Sequence, residues 1–300
     1  MADNVVVSPA SAPGGATVAC DDIDGVQYQR VKIVHGADGV SDGDTSVGNP
    51  LPVKLVSPTT VATTHLPPNA TFIRRFGVNS AVGTVFEAID GVGLSQPYMP
   101  MAAATVQIHS TSAADAAAGA GARTVMLTGL DYLFNQVQET ISLTGLSPTV
   151  SATYFFRVTK LEVITVGTYG GSNTGTLTVE ITGTGTVILQ CVSGDSQTLS
   201  AHFCVPQGYY GFISGAILTT DSNKPIDIRV ITRDHADQIV APFAPFSVAQ
   251  AYTGLLGVSN FTYDPPIQLS PTTDVFLTAK TATGTATVSV EYWGYTIPII

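Results

Sequence analysis

Residues 120–145 read AGARTVMLTGLDYLFNQVQETISLTG. Two runs of strand-forming residues flank a short polar segment that begins at Asp131. No nucleophile, acid–base pair or metal-ligand spacing lies between them. The stretch reads as a β-hairpin whose product is surface and hydrogen-bonded edge rather than chemistry.

The rest of the chain repeats this pattern. TFIRRFGV, GTVFEAI and ATVQIH are short runs separated by Gly, Asn, Asp or Pro. YFFRVTKLEVITV (Tyr154–Val166) is longer, and its apolar face switches near Thr159, as a β-bulge or a crossing between sheets would require. GTYGGSNTG has the composition of a hairpin loop. It leads into TLTVEIT, with Leu177, Val179 and Ile181 on one face. KPIDIRVITR alternates, with Ile226, Ile228 and Val230 inward and Asp227 and Arg229 outward. DVFLTAKTATGTATVSVEYWGY reads as a closing hairpin around a Gly-containing turn. STSAADAAAGAGA (Ser110–Ala122) has alanines that favour helix, but Gly119 and Gly121 reduce it to a loop. DHADQIVAPFAPFSVAQAYTGLLG is ambiguous, with prolines that keep any helix short. Short strands at this spacing predict an all-β chain of two β-sandwich, jelly-roll-like domains, over 58–193 and 194–300.

Residues 1–57 differ. SPASAPGGA has no periodicity, VQYQRVKIV (Val26–Val34) suits one strand, and LPVKLV is a short apolar run within turn chemistry. A segment with so little apolar content does not bury its own core. It reads as an extended N-terminal attachment arm that lies on another domain or subunit. Its candidate interaction residues are Tyr28, Arg30, Val31, Ile33, Leu51, Val53 and Leu55.

Composition narrows the function class. Charged residues make up 11% of 300 residues while 44% are hydrophobic, against about 25% charged in ordinary soluble domains. Thr, Ser, Gly and Asn supply the polarity instead. Such an exterior loses little on being covered by another chain, which points to an oligomer or larger assembly. The net charge of −10 and the absence of a basic patch argue against nucleic-acid binding. No secretory signal and no membrane-spanning run are read in the sequence. Three cysteines, Cys20, Cys191 and Cys204, form no disulfide framework, and the last two sit in apolar strand contexts that suit buried thiols.

Candidate chemistry is sparse. His35, His65, His109, His202 and His235 form no metal-binding spacing. Arg233, Asp234, His235 and Asp237 are the tightest titratable group. They suit cation binding or acid–base work on paper, but read first as a solvated turn. DDIDG (Asp21–Gly25) and DGVSDGD (Asp38–Asp44) are oxygen-rich but lack the EF-hand spacing, and read as Asx turns. Glu87, Glu139, Glu162, Glu180 and Glu291 could supply a glycosidase pair only if the fold assembled one. Tyr209, Tyr210 and Trp293 are aromatics suited to stacking on sugars or, more commonly, to packing. Neither GxSxG nor a P-loop is present. The expectation is no enzyme, no cofactor and no metal.

Several segments resemble one family. STSAADAAAGAGARTVMLTGLDYLFNQVQETISLTG, FFRVTKLEVITVGTYGGSNTGTLTV, VPQGYYGFISG and PPIQLSPTTDVFLTAKTATGTATVSVEYWGY are similar to stretches of virion structural proteins of tailed bacteriophages, aquatic ones especially. The likeness spans about 105–300. DDIDGVQYQRVKIVHGADG is similar to N-terminal modules of several phage structural proteins. The resemblance implies a virion protein assembled in the host cytoplasm, with itself (as a homotrimer) and a major capsid or other virion protein as partners. It leaves open a head decoration or cement role and a tail adaptor or fibre role. YLFNQVQ is more apolar than the family's usual linker, so position within the virion is open.

Overall fold

The computed structural model describes residues 4–7, 16–23 and 26–29 as backbone, and residues 66–221 and 223–299 in full. The chain divides into two compact units, Met1–His65 and Leu66–Ile300. All regular structure among the described residues is β, and every strand pairing is antiparallel.

In the first unit, β1 (Asn4–Val7), β2 (Ala16–Ile23) and β3 (Val26–Gln29) form a three-stranded sheet in that order. Asp21, Asp22 and Ile23 of the DDIDG stretch lie on β2, with Ile23 opposite Val26. The arm therefore holds a small sheet where the sequence suggested one strand. Tyr28 lies on β3 opposite Asp21. Arg30, Val31, Ile33, Leu51, Val53 and Leu55 lie outside the described residues, as does the DGVSDGD loop.

The second unit contains the remaining strands. They are β4 (Thr71–Val82), β5 (Glu87–Ala88), β6 (Val106–Ser110), β7 (Ala122–Leu130), β8 (Gln136–Ser142), β9 (Thr149–Val150), β10 (Arg157–Val166) and β11 (Leu177–Ile181). These are followed by β12 (Val187–Cys191), β13 (Phe203–Cys204), β14 (Tyr209–Thr220), β15 (Ile226–Arg233), β16 (Ser247–Leu255), β17 (Val258–Leu269), β18 (Asp274–Thr281) and β19 (Ala286–Pro298).

One sandwich packs sheet β10-β7-β8 on sheet β12-β11-β6-β9. Its core draws Val125, Leu127 and Leu161 from the first sheet and Ile108, Val179 and Leu189 from the second. The expected hairpin at 120–145 is β7–β8, with Thr124 opposite Ser142 and Leu130 opposite Gln136. Its turn is built by Asp131, whose Oδ1 accepts from the backbone N–H groups of Leu133 (2.8 Å) and Asn135 (2.9 Å). Asp115 organises the alanine-rich loop. Its carboxylate accepts from Ser110 Oγ and from the N–H groups of Ala122, Thr174 and Gly175, all within 2.6–2.8 Å. Burial pushes that carboxyl up, and these four donors more than reverse the effect.

The other sandwich packs sheet β13-β18-β15-β16, with β5 beside β18, on sheet β17-β14-β19-β4. Ile228, Val230 and Leu277 face Leu218, Val288 and Tyr292 across it. The boundary expected at 193/194 assigns β4 and β5 to the first sandwich. Their hydrogen bonds instead run to β19 and β18. The first sandwich is thus inserted between β5 and β13 of the second. Two expected hairpins also differ. β18 and β19 share a Gly284 turn but lie in opposite sheets, and β10 and β11 do likewise around GTYGGSNTG. In each case both strands feed one core from opposite sides, which alternation alone cannot distinguish from pairing.

The sandwiches meet at a buried ion pair. Arg157, at the start of β10, is 1% exposed and Asp274, at the start of β18, is fully enclosed. Arg157 donates through Nε to Oδ1 (2.9 Å) and through Nη2 to Oδ2 (2.8 Å). Its Nη1 donates to the carbonyls of Phe156 (2.9 Å) and Pro100 (3.1 Å). The guanidinium lies over the Phe156 ring at 4.5 Å, and His202 Nε2 is 3.5 Å from Asp274 Oδ1. Gly129 lets the β10 backbone approach here, because a Cβ would collide with the Arg157 carbonyl. Around the pair, Leu130, Phe134, Phe156, Cys204 and Ala236 form a small joint core.

Burial alone would raise the Asp274 carboxyl, but His202 and Arg157 hold it well below the usual carboxylate range. Its stabilisation is therefore complete above about pH 4 and is lost as pH falls toward the depressed folded value. Asp90 is opposite in sign. Burial raises its carboxyl, and its Oδ2 has no partner. Asp274→Asn is expected to cost about 3 kcal/mol or more in urea denaturation at pH 7 and to flatten the acid limb of stability. Asp90→Asn is expected to raise the midpoint at pH 7. Equal effects from the two variants would contradict the assignment.

Candidate assembly surface

The segment from Gln238 to Tyr263 contains no Asp, Glu, Lys or Arg. It leaves β15 through the turn that carries Arg233, Asp234, His235 and Asp237. Asp234 accepts from Thr273 Oγ1 (2.9 Å), Asp237 from Thr272 Oγ1 (3.0 Å), and Arg233 donates to the Gln238 carbonyl (3.1 Å). His235 takes the left-handed backbone conformation there, φ 54°. The cluster thus pins a turn, as the solvated-turn reading anticipates.

Beyond the turn, Ile239, Val240 and Phe243 are exposed. β16 follows as the edge of its sheet, and β17 as the edge of the facing sheet. Phe246 packs edge-on against Phe276 at 5.7 Å, which anchors the entry to β16. Inside the β16–β17 connection, Tyr252 lies against Phe261 at 4.1 Å and its hydroxyl meets that of Tyr263 at 2.7 Å. These contacts hold the two edges together across the open side of the sandwich. Burial and the Tyr252 bond push the Tyr263 phenol up. The outward positions stay apolar, with Val240 75% and Val258 71% exposed, and Val248 and Leu256 also open.

Edge strands in soluble proteins are ordinarily blunted by charges, particularly Lys. β16 carries Ser, Val, Ala, Gln, Ala, Tyr, Thr, Gly and Leu, with none. Its unpaired edge can accept a strand from another chain, and its apolar flanks can be covered by the same partner. This surface is built entirely from residues of the second unit. Its own signal was the uncharged run itself, whereas the two long edge strands of the facing sheet, β4 and β17, carry Arg74 and Arg75, and Asp264.

The remaining candidates resolve into separate local roles. Glu139 accepts from the N–H groups of Ala152 and Thr153, Glu162 pairs with Lys160, and Glu291 pairs with Arg74. Glu180 accepts from Gln107, and Glu87 from Asn79. Each carboxylate thus serves its own neighbours. Tyr209 packs against the second core, Tyr210 is exposed, and Trp293 covers Gly215. Cys191 and Cys204 are buried free thiols. Burial pushes the Cys191 thiol up to about 12 and Cys204 well above its ordinary value, so neither is a nucleophile at neutral pH. Among the described residues no His, Cys, Asp and Glu group has metal-holding geometry, and no helix is long and apolar enough to cross a membrane.

No protein-family model and no curated protein matches the chain. Among solved structures it is similar to VP2 of infectious bursal disease virus. The D431N mutant VP2 from T=1 particles is 10% identical, with 77% of this chain and 70% of that chain covered, at a TM-score of 0.25. The T13 particle of the same virus gives 10% identity, 79% and 73% coverage and a TM-score of 0.24. A superposition this loose carries no argument about function.

The exposed strip has a direct test. Val240→Lys with Val258→Lys is expected to shorten retention on a hydrophobic-interaction column markedly. The unfolding free energy should stay within about 0.5 kcal/mol for each substitution. Unchanged retention would mean that the strip is not open in solution.

Proposed function

We propose that the chain is a structural component of a tailed-phage virion, most specifically a head-associated decoration or cement protein. The observation that carries this reading is the uncharged β16 edge with its apolar flanks, a surface suited to being covered by another chain. The phage-like segments between 105 and 300 and the low charge of 11% support it. In this reading residues 1–57 attach the protein to neighbouring capsid subunits. Tyr28, Arg30, Val31, Ile33, Leu51, Val53 and Leu55 are the arm's contact residues. The two sandwiches form the projecting body, and the protein self-associates as a homotrimer. Its mechanism is strand addition and apolar burial rather than catalysis.

A second reading, a tail adaptor or fibre module that touches the host surface, draws on a different observation. Tyr132 and Tyr154 are exposed, and the pairing of Arg157 with Leu130 sets both at the same end of the first sandwich. Exposed tyrosines on neighbouring loops suit a binding face.

Copy number separates the two. Quantitative mass spectrometry of purified particles is expected to show on the order of hundreds of copies per virion for the head role. A dozen or fewer would assign the protein to the tail. Removal of residues 1–57 is expected to abolish attachment to particles while the 66–300 body keeps its folding transition. Attachment at full-length affinity after that truncation would refute the arm mechanism.

A further inference from the structure

A cleft of about 490 Å³ opens between β4, β10 and the segment that leads into β13. It is lined in part by Arg74, Arg75, Lys160, Gln197, Ser200 and Glu291. The whole chain has twelve Lys and Arg, and three of them converge here. Two are already matched: Arg74 pairs with Glu291 at 2.5 Å, and Lys160 with Glu162 at 2.8 Å. Arg75 is not matched in this way. Its guanidinium lies over the Phe203 ring at 5.4 Å, and its enclosed Nε has no hydrogen-bond partner. Burial lowers its pKa, the direction expected of a cation that has lost water without gaining a counter-ion.

We propose that this cleft binds a carboxylate, carried by a small polar ligand of the sugar-acid class, with Arg75 as the charged contact. A guanidinium offers a carboxylate two parallel N–H donors, and the Arg75 Nε is a donor still to be satisfied. Lys160, on β10, adds attraction from another wall of the cleft. The exposed Gln197 amide supplies a polar group for the rest of the ligand. The volume fits a monosaccharide-sized molecule. The site is on neither the β16 edge nor the arm, so it stands or falls independently of the virion reading.

The test uses the full-length chain, titrated by calorimetry with glucuronate, glucose and acetate at constant ionic strength. Glucuronate is expected to bind and glucose is not. Arg75→Gln is expected to weaken glucuronate at least about tenfold, and Lys160→Met to weaken it less. Retained thermal midpoints in both variants establish that folding is intact. If Arg75→Gln unfolds, the Lys160→Met titration and the loss of binding by glucuronate methyl ester carry the test. Glucuronate tighter than acetate identifies a sugar acid as the source of the carboxylate. Equal affinities leave the carboxylate site standing and remove the sugar. Absence of binding by both, or affinity unchanged in Arg75→Gln and by esterification, overturns the proposal.

Discussion

The pair formed by Arg157 and Asp274 fixes how the second unit is built. A buried ion pair contributes little net stability over an apolar substitute, because both charges lose water. Its effect is on alternatives. Any arrangement that separates β10 from the start of β18 leaves a guanidinium or a carboxylate enclosed without its partner, at a cost of several kcal/mol. The pair joins residues 117 positions apart, one from each sandwich. It therefore ties the inserted sandwich to its host in one geometry, while Phe134 and Phe156 exclude water around it.

That insertion explains where sequence reading succeeded and where it stopped. Strand existence was legible because one buried face per strand leaves a period of two. Ile226, Ile228 and Val230 are buried as the alternation requires. The face switch at Thr159 is a register shift between Val158 and Lys160. Partnership was not legible. β4 reads as the natural start of the sandwich that follows it, yet it closes a sheet with β19, more than 200 positions away. Nothing local distinguishes the two outcomes, because a strand's own sequence specifies which face is buried and not which neighbour buries it.

The two false hairpins have the same origin. In a hairpin the strands pair edge to edge, while in the arch formed by β18 and β19 they stack face to face. Both need alternation and a glycine turn. The difference appears in β18, which is buried at Asp274 through Ala279 without interruption. A central strand covered on both faces loses its alternation, and Asp274-Val-Phe-Leu-Thr-Ala already departs from strict alternation in sequence. The candidate surface was legible in a similar indirect way. The expected contacts were placed on the arm, where apolar residues stood out against turn chemistry. The body's open edge was hidden because uncharged strands look like core.

Charge placement separates these roles. With only 11% of residues charged, several ionic groups among the described residues have a visible task. Asp115 pins a loop with four donors, Arg157 and Asp274 lock the sandwiches, and Asp234 and Asp237 hold the turn before β16. The span from Gln238 to Tyr263 has no ionic group at all, although it supplies the whole β16 edge and the first half of the β17 edge. An isolated molecule gains nothing from leaving such an edge bare, since bare edges invite uncontrolled pairing. An edge that is to be covered on assembly gains from it, because every charge there would have to be desolvated. The same composition that joins the two sandwiches through the Arg157–Asp274 pair thus leaves this rim of the described residues without a charge to desolvate.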